Sequence, residues 1–266
     1  MKKIHSFVVL AYKESPYLEE CIKSVLNQKY KSNVVIATST PNNYINAMAK
    51  KYKLPLIINN SGVKGIGYDF DFAINSVDTK LVTIAHQDDI YDYDYAQEVI
   101  NMYNKYHDSI IIFSHYYEIK NGNKICSNLN LNIKRILLFP LKIHSISGIK
   151  FFKRHVIRFG NAIGCPAVTF VKENVPKFIY STNLKCDVDW FAWEMLSKRK
   201  GKFSYISKQL MGHRIHENST TTDIIHNNIR TEEDYEIFKK FWPRPIAFVI
   251  NKLYSKSEKN NQIKDN

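Results

Sequence analysis

The chain has 266 residues, of which 44% are hydrophobic and 24% charged. This length supports a substantial core, and the composition excludes wholesale disorder. Lys and Arg total 38 against 25 Asp and Glu, and the formal net charge of +13 favours polyanions such as nucleic acid, anionic headgroups or nucleotide phosphates.

In chain order, Phe7 to Ala11 reads as a first strand, followed by the turn Tyr12-Lys13-Glu14-Ser15-Pro16. A helix is predicted from Tyr17 to Gln28, because Leu18, Cys21, Ile22, Val25 and Leu26 recur at helical spacing. Asn33 to Thr38 is a second strand, Asn43 to Tyr52 a helix and Leu56 to Ile58 a short strand. A loop with Gly62, Gly65 and Gly67 leads into a helix from Tyr68 to Val77. Its spacing is not a dinucleotide or P-loop fingerprint, so turn glycines are the default, with Lys64 and the glycines as candidate phosphate neighbours. Strand and helix alternate through the first ninety or so residues, which predicts an α/β chain with a parallel, doubly wound sheet.

The next strand, Leu81 to Ala85, is short, apolar and β-rich, and it runs directly into His86, Gln87, Asp88 and Asp89. Ligands in open α/β sheets bind outside the carboxyl ends of the strands. Two adjacent carboxylates there suit a hard divalent cation, or equally a helix cap. Further on, Tyr95 to Tyr106 is a helix, and Ile110 to Phe113 a strand that Tyr116 to Ile119 extends past a bend. Asn121 to Gly160 has no clear periodicity. Val168 to Val171 and Phe203 to Ile206 read as strands, and Asp189 to Ser197, Thr231 to Phe241 and Ile246 to Tyr254 as helices. The Lys/Asn-rich end, 255–266, is expected to be disordered.

Cys21, Cys126, Cys165 and Cys186 form no C-x-x-C pair and match no zinc or disulfide spacing, so reduced thiols are expected. The apolar run at Phe7 is too short for a signal peptide, and none approaches the roughly 20 residues that span a bilayer. The expected location is cytoplasmic, including a peripheral place on the inner membrane face.

Four blocks, in order, resemble family-2 glycosyltransferases. Phe7 to Gln28, F-V-V-L-A-Y-K-E-S-P-Y-L-E-E-C-I-K-S-V-L-N-Q, is similar to their opening strand, turn and helix. His86 to Tyr91, H-Q-D-D-I-Y, resembles their D-x-D motif. Lys185 to Trp193, K-C-D-V-D-W-F-A-W, resembles their Glu-Asp motif, and His213 to Thr221, H-R-I-H-E-N-S-T-T, their late R-x-H-x-x-S motif. Each block alone is weak; the ordered set, spanning about residues 4 to 222, is much more specific.

The resemblance implies a GT-A fold: a Rossmann-like, mostly parallel sheet flanked by helices, with a C-terminal helical appendage. The glycosyltransferase domain would be 1–228, with a nucleotide half to about 115 and an acceptor half from 116, then helices over 229–254. The implied reaction is inverting, metal-dependent transfer of a sugar from a nucleotide-diphosphate donor, a UDP-sugar first, to an acceptor hydroxyl. The acceptor would be a saccharide or lipid-linked saccharide of a cell-surface polysaccharide or glycolipid, and the cofactor Mn2+ or Mg2+. The basic tail Arg244 to Lys259 suits an anionic membrane surface, while its Ile246, Phe248, Val249, Ile250 and Leu253 could equally pack on the main domain. No nucleic-acid partner is expected, because the lysines are scattered and no recognition motif occurs.

By the same resemblance, Asp88 is the metal-binding aspartate, which also reaches the nucleotide, and His216 a further metal contact from a late loop. Ala11, Tyr12, Glu14, Ser39, Asp71 and Gln87 match nucleotide-binding positions. Asp187 is the catalytic base, with Asp189 as rival and helix cap. Trp190 and Cys165 lie where the acceptor should dock. The chain departs from the family at four places: His86 replaces the first Asp of the motif, Ala37 to Thr40 lacks the base-reading carboxylate after the second strand, Phe70-Asp71 stands where many members have Arg-Asn, and Cys186 replaces the Glu. A nucleotidyltransferase and a catalytically inactive relative are the competing readings. The first would need a Gly-rich phosphate loop after strand one, which Tyr12 to Pro16 does not supply.

Overall fold

The computed structural model of the chain describes residues 3–180, 183–216 and 229–263, with side chains of the last helix as far as Lys256. In chain order the elements are β1 (His5–Ala11), α1 (Leu18–Leu26), β2 (Asn33–Thr38), α2 (Asn43–Tyr52), β3 (Leu56–Ile58), α3 (Ile66–Asn75) and β4 (Leu81–His86). Then come β5 (Ile90–Tyr91), α4 (Tyr95–Lys105), β6 (Ser109–Lys120), β7 (Asn123–Ile125), α5 (Leu129–Leu138), α6 (Lys150–His155) and β8 (Val168–Val171). The chain ends with α7 (Val188–Ser197), β9 (Lys202–Ile215), α8 (Ile229–Phe238) and α9 (Arg244–Ile263).

The described strands form one sheet in the order β3-β2-β1-β4-β8-β6-β9-β5, with β7 paired to β6. β3, β2, β1 and β4 are mutually parallel, as the alternation of strands and helices requires. β8 is inserted antiparallel between β4 and β6, and β9 runs parallel to β6. The sheet is therefore mixed, although β6 and β9 keep the sense of the first four strands.

Alternate residues of each strand enter opposite cores, because successive side chains point to opposite faces. Val8, Val35, Val82 and Ile84 join one cluster, while Phe7, Val9, Ile36 and Ala85 join the other. Burial on both faces explains why these strands read as continuous apolar runs. α2 shows the local logic of a helix: Asn42 Oδ1 accepts from the Ile45 amide, and Lys53 ends the helix at φ 52°.

Several expectations change here. Gly67 is not a phosphate-loop residue. It lies inside α3, where a Cβ would come 2.1 Å from the Tyr180 carbonyl oxygen, so close backbone packing demands glycine. The bend expected after Phe113 is a pair of register shifts around His115 within one long strand. β9 continues nine residues past the predicted end at Ile206, to Ile215. The unperiodic middle holds β7, α5, a 3₁₀ turn over Phe139–Lys142, and α6. The C-terminal helices are core elements: Ile237, Phe238 and Ala247 are fully buried in the larger cluster. α9 stays helical to Ile263 where disorder was expected. None of the described helices is long and apolar enough to cross a membrane.

Candidate active site

The carboxyl ends of β1, β2 and β4 are level, since Leu10 pairs with His86 and Ala11 with Thr38. After His86 the chain turns, and the Asp89 amide donates to the His86 carbonyl over 3.2 Å. β5 then pairs antiparallel with β9, Ile90 opposite Gly212 and Tyr91 opposite Met211. That pairing sets the Asp88-Asp89 turn against the His213-Arg214 end of β9. Neither aspartate caps a helix, since α4 begins only at Tyr95.

The two carboxylates differ in kind. Asp89 is fully buried, and its Oδ1 accepts from the Arg214 amide at 2.9 Å and faces His213 Nδ1 at 3.0 Å. Asp88 is half-buried, with Oδ2 3.0 Å from His216 Nε2. Burial works against the Asp88 carboxylate, but the His216 hydrogen bond and the nearby His86 and His213 hold its pKa below the ordinary value. Burial likewise opposes His213 protonation, yet Asp89 and then Asp88 push its pKa up to about 9. Arg214 straps the turn down: Nε donates to the Asp88 carbonyl at 2.9 Å and a terminal nitrogen reaches Glu20 at 2.5 Å. It therefore pairs with an acid of α1.

One ligand atom from each of His86, Asp88 and Asp89 lies within 4.8 Å of the others. His86 Nε2 and Asp89 Oδ2 are buried with no hydrogen-bond partner among the described residues. Buried polar atoms are ordinarily satisfied, so two orphaned ligand-type atoms beside a half-exposed carboxylate fit a divalent cation. His86 thus occupies the first position of the motif in person. His216 reaches this cluster through Asp88. The following residues of that block, Ser219, Thr220 and Thr221, lie outside the described residues.

At the nucleotide end, the Tyr12 ring is half exposed and stands at the crevice mouth with exposed Glu14. Gln87 is otherwise engaged: its amide clamps the Tyr12 backbone, accepting from N–H and donating to C=O, both at 3.0 Å. Ala11 is buried at the strand end and contributes backbone only. Asp71 does not face the crevice; it is buried and accepts from the amides of Ile179 and Tyr180, which anchors that segment on α3. Ser39 donates to Asp69 Oδ2 at 2.8 Å, and Asn59 Nδ2 donates to Asp69 Oδ1 at 2.9 Å. A carboxylate from the first turn of α3 thus stands at the end of β2, where the strand itself supplies none. Sequence reasoning missed Asp69 because an acid in a first helical turn reads as a dipole partner. The signal was the missing carboxylate after β2.

On the acceptor side, Trp190 is fully buried, donating Nε1–H to the Ile157 carbonyl and packing edge-on to Phe238. It is a core tryptophan and cannot serve as a sugar platform. Cys165 is half-buried with Sγ 3.5 Å from the Tyr180 hydroxyl; burial, then Asp189, raises its thiol pKa well above the ordinary value. Asp189 Oδ1 accepts from the Trp190 amide and Oδ2 from Asn161, each at 2.8 Å. Asp187, by contrast, keeps Oδ2 buried with no hydrogen-bond donor among the described residues. Burial first, and the neighbouring Asp234 of α8 second, push its pKa up to about 10. Glu233, one residue earlier, accepts from the amides of Lys185, Cys186 and Asp187 at 2.7, 2.8 and 3.1 Å. α8 therefore supplies a Glu carboxylate to the backbone of the block whose own Glu is Cys186.

A parallel-stranded α/β half, an inserted antiparallel strand and an acidic turn at the carboxyl end of β4 are the architecture of a GT-A fold. The sequence profile described as Glycosyl transferase family 2 matches residues 6–175, and the chain belongs to that family. A search of curated protein sequences found no match. Among solved structures, S. aureus TarS matches with TM-score 0.56 at 15% identity, over 94% of this chain and 42% of that one. TarS 1–349 in complex with UDP-GlcNAc gives 0.60 at 15% identity, over 94% and 70%. The mannosyltransferase PcManGT from Pyrobaculum calidifontis, in complex with GDP-Man and Mn2+, gives 0.58 at 12%, over 96% and 70%. At these identities the likeness is one of fold, and the chain spans less than half of the first of these TarS chains.

Proposed function

We propose that the chain is an inverting, metal-dependent glycosyltransferase that moves a sugar from a nucleotide-diphosphate donor to a hydroxyl of a saccharide or lipid-linked saccharide. The observation that carries this reading is the cluster of His86, Asp88 and Asp89 at the carboxyl edge of the sheet. The TarS and PcManGT structures, solved with UDP-GlcNAc and with GDP-Man and Mn2+, support a nucleotide-sugar donor. Mn2+ or Mg2+ would be held by Asp88, with Asp89 and His86 beside it. When bound, such a cation supplies Lewis-acid compensation for the charge that grows on the departing diphosphate.

The protein's own groups do the rest. The exposed Tyr12 ring offers a stacking face for the base, and Glu14 and Asp69 offer acceptors for N–H and O–H groups of the nucleoside. Asp187 is the general base, since Asp189 has both oxygens engaged while Asp187 Oδ2 is open. Burial first, and then Asp234, raise the pKa of Asp187, which makes its carboxylate a stronger base toward the acceptor proton.

The test needs no known acceptor. The protein is incubated with manganese and UDP-, GDP- or dTDP-sugars, and the anomeric protons are followed by NMR. Slow hydrolysis of one donor, first releasing sugar of the opposite anomeric configuration, is expected. Release with retained configuration, or no release from any donor, would contradict the proposal. Asp69→Asn should weaken binding of the corresponding nucleoside diphosphate about tenfold, the scale of one charge-assisted hydrogen bond. Calorimetric titration showing unchanged affinity would remove Asp69 from the nucleoside site.

A further inference from the structure

Between Glu118 and Glu173 the chain has no Asp or Glu and ten Lys and Arg. Much of this stretch folds outside the sheet as α5, the 3₁₀ turn and α6. α5 is apolar on two faces. Leu131 and Leu138 are buried beneath it, yet its outer face is also apolar, with Leu129 70%, Ile133 45% and Ile136 73% exposed. Positions 129, 133 and 136 share one helical face. Phe139 and Ile143 continue the exposed apolar surface through the turn, and Phe151 adds to it from α6.

The surface continues onto α9. The Phe159 ring lies 5.3 Å from Trp242, just before that helix, and Gly160 abuts the Tyr254 ring. α9 buries Ala247 and leaves Phe248, Val249 and Leu253 60%, 56% and 65% exposed. Lys142, Lys150, Lys252 and Lys256 are exposed among these side chains. Contiguous exposed apolar area marks an interaction site. Protein interfaces are depleted in lysine at their centres. Apolar helix faces rimmed by lysine, with no carboxylate across the whole stretch, match an anionic headgroup layer, into which lysine stems snorkel.

We propose that α5, the following turn and the outer face of α9 dock this protein on an anionic lipid bilayer. The proposal deepens the transfer reading and rests on it for its purpose. The inner side of α5 opens on the site: Lys134 Nζ donates to the Tyr116 hydroxyl at 2.7 Å, and the Tyr116 ring lies 6.0 Å edge-on from His213, the partner of Asp89. A saccharide anchored in the docked bilayer would thus be presented beside the acidic turn.

Vesicle flotation of the full chain tests this. Binding to equimolar phosphatidylcholine and phosphatidylglycerol is expected, with little binding to phosphatidylcholine alone and marked loss in 0.5 M salt. The double variant Ile136→Glu/Phe139→Glu should lower partition at least about tenfold, while the control Asn46→Glu on α2 should not. Circular dichroism and nucleoside diphosphate affinity, both expected unchanged, establish that the variant is folded. No flotation with anionic vesicles, or full flotation of the folded double variant, would overturn the proposal. A stable dimer whose dissociation by the variant exposes the same face would make it a protein interface instead. Flotation is read without turnover, so its failure leaves the transfer reading standing, and failure of donor binding leaves flotation unaffected.

Discussion

Asp88→Asn is expected to lower donor cleavage by about 10³-fold with little change in melting temperature. Asp88 is half-buried, and its side-chain hydrogen bond is to His216, a residue at the edge of the described structure. An amide can keep that contact but cannot offer two anionic oxygens to a divalent cation. Asp89→Asn should behave differently. Its fully buried carboxylate holds the Arg214 amide and His213, whose pKa of about 9 makes it a cation at neutral pH. Removing that charge leaves His213 without its counterion and should cost about 2–4 kcal/mol of stability. Steady-state kinetics and thermal melts of the two variants separate the roles. Equal destabilisation by both, or full activity of Asp88→Asn, would remove Asp88 from the chemistry.

Asp187→Asn should abolish transfer, by about 10²- to 10⁴-fold for a lost general base, and at the same time stabilise the protein. The ordinary pKa of this carboxyl is 3.8, and burial beside Asp234 raises it to about 10 in the folded chain. Between those values the folded state binds the extra proton, so the wild type loses stability as pH rises through that window. An amide carries no such penalty. The gain should be on the order of 2 kcal/mol at pH 7, or roughly 4–8 °C in melting temperature for a chain of this size. It should be smaller at pH 5 and larger at pH 9. Asp189→Asn should gain less, because an amide keeps only one acceptor oxygen and must give up either the Trp190 amide or Asn161, which offsets the relief of its own burial-raised pKa. A variant at 187 that melts lower than wild type, with a difference flat in pH, would mean that Asp187 is stabilised by contacts rather than strained by burial.

The half of the fold that positions the donor was legible in the sequence because its signals are local. β2, α2 and β3 begin and end where periodicity and turn residues put them. The acceptor half was less legible because its determinants are distant in sequence. β9 runs on through Ser207, Lys208 and Gln209, polar residues that no propensity marks as strand, because pairing with β6 carries it. α5 was obscured by its apolar outer face, which blurs the 3.6-residue period. The acidic turn was found by motif, but the reason Asp88 and Asp89 differ lies in β5–β9 pairing across more than 120 residues. Trp190 and Asp71 misled for the same reason: an aromatic or an acid at a family position carries no mark of burial, and here both face inward.

Calorimetric titration of UDP and GDP into the wild-type chain, with manganese and again with EDTA, addresses the acidic turn itself. Binding of one nucleotide with manganese, weakened at least about tenfold by EDTA, is the expected result. Equal affinity with and without the metal, or no binding of either nucleotide, would contradict a cation-assisted diphosphate site at His86, Asp88 and Asp89.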